Sequence, residues 1–513
     1  MNEFRNHPLL ELRRPEVREE LTVTLAALDA ELPLRVETLV AAKGISGEGA
    51  SSTDPCDPKR QVARLGWASA DSAERALELA LGSRWPRRSP DERATVLERA
   101  AELLAERRHR MTALVVREVG KPWEDADAEV CEAIDFLRFY GLGARELGDE
   151  LLQAPGEHNE IRVRPRGPAA VISPWNFPLS IPCGMVSGAL VMGSPVLFKP
   201  AEQSPACGWE LARLLLEAGV DEDALAFLPA GGELGQWLVA EPRIATIAFT
   251  GSVAVGLEIQ RRAHAADGQR QIKRIVAELG GKNCVLVDSD VDLDEAVPAI
   301  VRSAYGYAGQ KCSAAARTLV HEGVADRFSE RLAGAVEILR VGPADDFATE
   351  VPPLIDPDAV AKFNHYAEAC TGAELARAES APGPQYVAPL LVDAGHLPAD
   401  TPVLRDEIFG PLLTVERVRD LDEAANRVRE LPQALTAGIF SRQPDRIDAL
   451  IDLLPAGVVY VDRAITGAMV GRQPFGGNGL SGTGARAGGP TYLRHFADEQ
   501  VVSTNVVRHG VVL

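Results

Sequence analysis

Residues 244–256 read Ile244-Ala-Thr-Ile-Ala-Phe-Thr-Gly-Ser-Val-Ala-Val-Gly256, an apolar run that closes on a glycine and a hydroxyl and then takes up helical spacing. The run predicts a buried strand, and the residues after it a helix near 253–265. Outward from this stretch the pattern repeats. Strands are expected at 169–173, 196–198, 224–228 and 274–277, with helices near 180–192, 205–218 and 232–240 between them. Such alternation specifies an α/β fold, a Rossmann-like parallel sheet covered on both faces by helices. Ligands on such sheets bind at the carboxyl ends of the strands. A second α/β region runs from about 279 to 480 and includes the strand-like 457–461.

Upstream, residues 9–43 are charged and heptad-like in places, which predicts surface helix. Residues 44–58, rich in Gly, Ser, Asp and Pro, read as a loop or crossing arm. Residues 70–150 carry dense Glu, Arg and Ala at helical spacing and predict helices with one apolar face each. The apolar run 179–198 is long enough to raise a membrane helix, but Pro182 and Pro195 with Gly184, Gly188 and Gly193 divide it into a buried helix and a buried strand.

The 513-residue chain is large enough for two or three cores. Its formal net charge of -20 argues against nucleic-acid or anionic-membrane partners, which need a clustered positive face. The 7 cysteines are odd in number and form no CxxC pair, so neither a disulfide framework nor a metal site is suggested. With no basic and apolar leader at the amino end, the expectation is a cytoplasmic protein.

Chemistry concentrates at a few positions. The small-residue stretch 305–317 carries one thiol, Cys312, between Lys311 and Ser313. A lone cysteine is ordinarily a buried small hydrophobe, so its neighbours must decide whether it is a nucleophile. Asn176 lies in Ser173-Pro-Trp-Asn-Phe-Pro178 at the end of the first strand, where its amide can serve turn chemistry or stabilise an oxyanion. Glu278 directly follows a buried-looking strand and can cap the Gly-Gly turn after it or, with a raised pKa, act as a general base. Gly251 and Ser252 open a helix, as an N-cap or as a pyrophosphate site. Lys199 and Glu202 stand at another strand end, as an ion pair or as partners of a ribose; a carboxylate there favours NAD over NADP.

Together, Asn176, Lys199, Glu202, Gly251-Ser252, Glu278-Leu-Gly-Gly-Lys282, Gly309-Gln-Lys-Cys312, Glu407-Ile-Phe-Gly-Pro411 and Pro474-Phe-Gly-Gly477 resemble the aldehyde dehydrogenase superfamily in order and spacing. That resemblance implies an NAD-binding domain (1–150 and 167–278), a catalytic domain (279–480) and a β oligomerisation flap (151–166 and 495–513), hence a homodimer or larger. It implies Cys312 as nucleophile, Asn176 as oxyanion donor and Glu278 as base. Cofactor contacts are implied for Ser173, Pro174, Trp175, Lys199, Glu202, Gly251, Ser252, Leu279, Glu407 and Phe409.

Ser313 after the nucleophile, the loop Thr466-Gly-Ala-Met-Val-Gly471, the segment 480–490 and the opening Glu3-Phe-Arg-Asn6 are similar to the 1-pyrroline-5-carboxylate (L-glutamate γ-semialdehyde) dehydrogenases. The similarity implies NAD-dependent oxidation of an aldehyde that carries an α-carboxylate. Gly467 and Ala468 would offer backbone N–H groups to that carboxylate, assisted by Lys311 and Ser313, with Phe177 and Phe475 also lining the substrate. Arg472 departs from the family's small or apolar residue, and residues 1–60 match only in pieces. Another aldehyde, such as succinate semialdehyde, is the alternative reading.

Overall fold

The computed structural model describes residues 4–45, 49–265 and 267–506. Among them the first sheet has seven strands in the order Arg274–Leu279, Thr246–Gly251, Ala169–Ile172, Val196–Lys199, Leu225–Phe227, Thr38–Val40 and Lys43–Ile45. The first five are parallel, and the last two add an antiparallel hairpin to the edge. The chain winds outward from Ala169–Ile172 to Leu225–Phe227, then returns to place Thr246–Gly251 on the other side of Ala169–Ile172. This reversal of winding opens a crevice at the carboxyl ends of those two neighbours. Helices Ser180–Val191, Pro205–Glu217, Gly232–Ala240 and Val253–Ala265 fall where the sequence places them. Ser180–Val191 is buried almost all round, which accounts for its apolar composition, and no helix among the described residues is long and apolar enough to cross a membrane.

The second sheet runs Glu374–Arg377, Leu390–Asp393, Leu412–Val418, Ala315–His321, Asn283–Val287, Thr436–Phe440 and Val458–Val461, all parallel except the first. The short link through Gly280 and Gly281 carries the chain from the carboxyl end of the first sheet to the amino end of the second. A third sheet pairs Glu150–Ala154, Glu157–Pro165 and Ala497–Asn505 in antiparallel register. It contains both segments read as the flap, with Val507 and the residues after it outside the described set.

Three expectations fail. Helix in the 9–43 region is confined to Pro15–Glu31, since Pro33 cannot continue it, and Leu34–Val36, Thr38–Val40 and Lys43–Ile45 are strands. The supposed loop at 44–58 holds the strand Ser51–Asp54, paired with Asp57–Leu65; residues 46–48 lie outside the described set. Its polar side chains are paid for by partners: buried Asp54 meets Arg60 at 2.8 Å and Arg117 at 3.5 Å. Finally, Arg108–Val119 is not a helix with a single apolar face. It is buried on most sides, and Glu118 accepts N–H bonds from Ala206 and Cys207 at 2.8 Å each.

Candidate active site

The nucleophile candidate sits where the strand-end rule would not place it. Cys312 precedes Ala315–His321 and so lies at the amino end of the second sheet, against the carboxyl end of the first. Contacts join the two ends. The Asn176 amide donates to the carbonyl of Gln310 at 3.0 Å, Glu407 accepts the Gly281 N–H at 3.3 Å, and Trp175 meets Phe409 edge-on at 5.7 Å. Within the amino end of the second sheet, the Asn283 amide donates to the carbonyls of Cys312 at 2.7 Å and Ala314 at 2.9 Å while its oxygen accepts the Thr436 N–H at 3.0 Å.

The small residues before Cys312 have a backbone reason. Tyr307, Ala308 and Gly309 are successive residues at positive φ, and a Cβ on Gly309 would stand 2.6 Å from the Gly410 carbonyl oxygen. Only glycine fits there, and the two left-handed non-glycine residues store strain beside the thiol. Gln310, fully buried, ties the turn to the chain by donating to the Pro353 carbonyl at 3.2 Å and accepting the Ile355 N–H at 2.9 Å.

Burial, reinforced by the carboxylates of Glu407 and Glu278, pushes the Cys312 thiol up to about 12. The resting group is therefore a thiol, which would have to lose its proton to act as a nucleophile. Alkylation of Cys312 by iodoacetamide in the free enzyme is expected to be slow at neutral pH and to accelerate toward alkaline pH, because a raised pKa puts thiolate formation there; peptide mapping distinguishes it from half-buried Cys56. A rate already at its plateau at pH 7 contradicts this electrostatic environment.

Burial likewise holds Glu278 well above the ordinary carboxylate range, opposed by the Gly477 N–H, which donates to it at 3.1 Å, and by the charge of Arg486. Its other oxygen is buried without a hydrogen-bond partner among the described residues. A Cβ on Gly476 would come within 2.6 Å of that oxygen, so the Pro474-Phe-Gly-Gly477 turn can close over the acid only with glycine there. Ser481 and Thr483 clamp the same strand: Leu279 N–H donates to the Ser481 carbonyl at 2.9 Å and Ala277 N–H to the Thr483 hydroxyl at 3.0 Å. Phe475 exchanges backbone bonds with Ala487.

At the crevice, the Ser173 N–H bonds the Lys199 carbonyl at 3.1 Å, and Pro174 continues the turn toward Trp175 and Asn176. Lys199 is buried, with its ammonium 2.9 Å from exposed Glu202, so this is a strand-end pair with one buried member rather than a surface one. The Ser252 hydroxyl caps Val253–Ala265 by accepting the Val255 N–H at 3.3 Å, and Gly251 ends its strand beside it. An exposed helix start, a carboxylate at a strand end and a crevice at the reversal of winding fit a dinucleotide such as NAD.

Two substrate candidates are placed differently from the simplest expectation. Lys311 is not free: its ammonium lies 2.8 Å from Asp125, and although burial works against ionisation of Asp125, the charge and hydrogen bond of Lys311 together with the charges of Lys121 and Arg302 hold that acid below its ordinary range. Phe177 lies under the ammonium of Lys121, 3.6 Å from the ring centroid. Ser313 is buried, Gly467 is exposed at φ +79 with open space around it, and Ala468 is half-buried beside it. Arg472 lines a surface pocket with Phe4, Arg5 and Asn6, and Asn6 donates to Asp135 at 2.8 Å and to the Val470 carbonyl at 2.9 Å, which fastens the amino-terminal segment behind the 466–471 loop.

Sequence reasoning missed Asn283, Lys121, Asp125, Glu129 and Glu132. The last three share one face of Trp123–Glu146 at helical spacing, a polar stripe on an otherwise buried helix that was there to be noticed. Burial pushes half-buried Glu132 up to about 7.

Residues 43–502 match the model of the aldehyde dehydrogenase family. The chain belongs to that family. It is similar to the 1-pyrroline-5-carboxylate dehydrogenase of Geobacillus thermodenitrificans, 36% identical over 514 residues that cover 98% of this chain and 99% of the relative. The fold is that of the Thermus 1-pyrroline-5-carboxylate dehydrogenase solved with bound NAD, at TM-score 0.93 and 34% identity over 98% of this chain and 99% of that one. Proline utilization A from Bdellovibrio bacteriovorus superposes at TM-score 0.97 with 38% identity over 99% of this chain; the chain spans only 54% of that protein. The expected family and fold are thus borne out.

Proposed function

We propose that this protein oxidises L-glutamate γ-semialdehyde, the open form of 1-pyrroline-5-carboxylate, to L-glutamate with NAD, as a step in proline breakdown. The observation that carries the reading is the meeting of Asn176, Cys312 and Glu278 between two sheets in a chain that matches 1-pyrroline-5-carboxylate dehydrogenases from end to end.

Cys312 loses its proton to solvent and, as the thiolate, attacks the aldehyde carbon and forms a thiohemiacetal. Its oxyanion lies against the Cys312 N–H and the second N–H of the Asn176 amide, the first being held by Gln310. When bound, NAD supplies the acceptor for the hydride that leaves this carbon, and a thioester to Cys312 results. Glu278 takes a proton from water, which attacks the thioester and releases the acid. Lys199, Glu202 and Ser252 would hold the adenosine ribose and pyrophosphate, and Glu407 and Phe409 the nicotinamide ribose and ring, with Trp175, Pro174, Gly251 and Leu279 shaping the crevice.

At the other end of the substrate, backbone N–H groups of Gly467 and Ala468 would receive the α-carboxylate, with Ser313 and Phe475 beside it. Because Asp125 neutralises Lys311, its help is long-range rather than a dedicated ion pair.

The domain division is residues 1–150 and 167–278 for NAD, 279–480 for catalysis, and 151–166 with 495–513 as the flap. On the flap, Leu151 and Val501 are 61% and 66% exposed, which supports pairing with further copies of the chain in a homodimer or larger assembly. All the cysteines are free thiols, in keeping with a reducing compartment such as the cytoplasm.

Purified enzyme is expected to form NADH fastest with 1-pyrroline-5-carboxylate, and to prefer NAD to NADP because Glu202 repels a 2′-phosphate. Faster turnover of succinate semialdehyde would overturn the substrate assignment.

A further inference from the structure

We infer that Lys121 and Glu129, a buried ion pair, position the oxyanion donor Asn176 relative to Cys312. The inference rests on the reaction proposed above and adds two positioning residues to it.

Lys121 and Glu129 are wholly buried and bonded to each other. The Lys121 ammonium lies between two rings, 3.6 Å from the centroid of Phe177 and 4.9 Å from that of Tyr307. Phe177 directly follows Asn176, and Tyr307 belongs to the left-handed turn that leads into Cys312. One ammonium therefore grips both segments whose spacing sets the oxyanion site. Glu129 holds the first segment from its far side, accepting the N–H groups of Leu179 at 2.8 Å and Ser180 at 3.2 Å at the start of Ser180–Val191. The Tyr307 hydroxyl donates to the Val119 carbonyl at 2.9 Å, so the second segment is tied to the chain just before Lys121.

The bond from Asn176 to Gln310 spans the same gap. A buried ion pair contributes little to stability beyond what packed apolar side chains would give, whereas its contacts are strongly directional. Asp125 and Lys311 form a neighbouring pair, and their charges act on Lys121 from the Cys312 side. Burial pulls the Lys121 pKa down, and Glu129 opposes that pull.

The test is a double-mutant cycle on the full-length enzyme, with Lys121→Met, Asn176→Ala and the combination, read by the rate constant and amplitude of the first-turnover NADH burst. Lys121→Met is expected to slow the burst by about 10- to 100-fold with its amplitude per folded enzyme retained and NAD affinity unchanged. Combined with Asn176→Ala it should add almost nothing, because both changes remove one contact. Glu129→Gln, which keeps an oxygen for the Leu179 N–H, should slow the burst less than Lys121→Met and serves if that variant does not fold. Multiplicative losses, or a smaller amplitude at an unchanged rate constant, would overturn the inference and leave a merely structural ion pair. The cycle uses whichever aldehyde the wild-type enzyme oxidises fastest, so failure of 1-pyrroline-5-carboxylate as substrate would sink the substrate reading alone.

Discussion

Cys312→Ala is expected to lower NADH formation from 1-pyrroline-5-carboxylate by at least about 10³-fold, leaving NAD affinity and the unfolding temperature close to wild type. The loss is large because without the sulfur there is no covalent intermediate, and Asn176 has no oxyanion to hold. The fold should tolerate the change, since Cys312 is partly exposed and its carbonyl, not its thiol, is the group that Asn283 bonds. Stopped-flow absorbance with a matched thermal melt decides it, and a variant that keeps a tenth of the wild-type rate would exclude thiohemiacetal chemistry at this residue.

Glu278→Gln is expected to separate the two halves of the reaction. The amide keeps the size of the carboxylate and can still accept the Gly477 N–H, but it cannot take a proton from water. One equivalent of NADH should therefore appear in a burst and then stall, with the acyl group retained on Cys312 in the intact mass; steady-state turnover should fall by about 10²- to 10⁴-fold.

The pH profile carries the same information. Burial raises the Glu278 pKa, so the acid is protonated and inactive as a base at low pH, and deacylation in the wild type should increase as pH rises through that raised pKa. The variant should lose this limb. Undiminished steady-state turnover with no acyl adduct would remove Glu278 from the role of base.

Much of this was legible in the chain because it depends on local chemistry. The strands at 169–172, 196–199 and 246–251 declare themselves as short apolar runs, and the helices between them by their spacing and caps. The segments around Asn176, Glu278 and Cys312 each stand in a distinctive setting of Pro, Gly or small residues, for which the left-handed turn at 307–309 and the close approach of Gly476 to Glu278 supply the physical reason. The errors lie where polar residues are rescued by distant partners. Ser51–Asp54 is a strand because Asp57–Leu65 pairs with it and Arg60 and Arg117 neutralise Asp54, and nothing local says so. Glu118 and Lys121 look like surface charges and are buried.

The amino-acid sequence by itself determined the α/β class, the alternation of strands and helices from 169 to 279, and the candidate nucleophile with its candidate partners, because hydrophobic period, turn chemistry and residue type are local properties. Only the tertiary structure decided that the amino end of one sheet meets the carboxyl end of the other, that Lys311 is answered by Asp125, and that a buried ion pair stands between Phe177 and Tyr307. Those facts depend on residues far apart in the chain sharing one low-dielectric interior, where each buried charge requires a partner and its position then fixes everything packed against it.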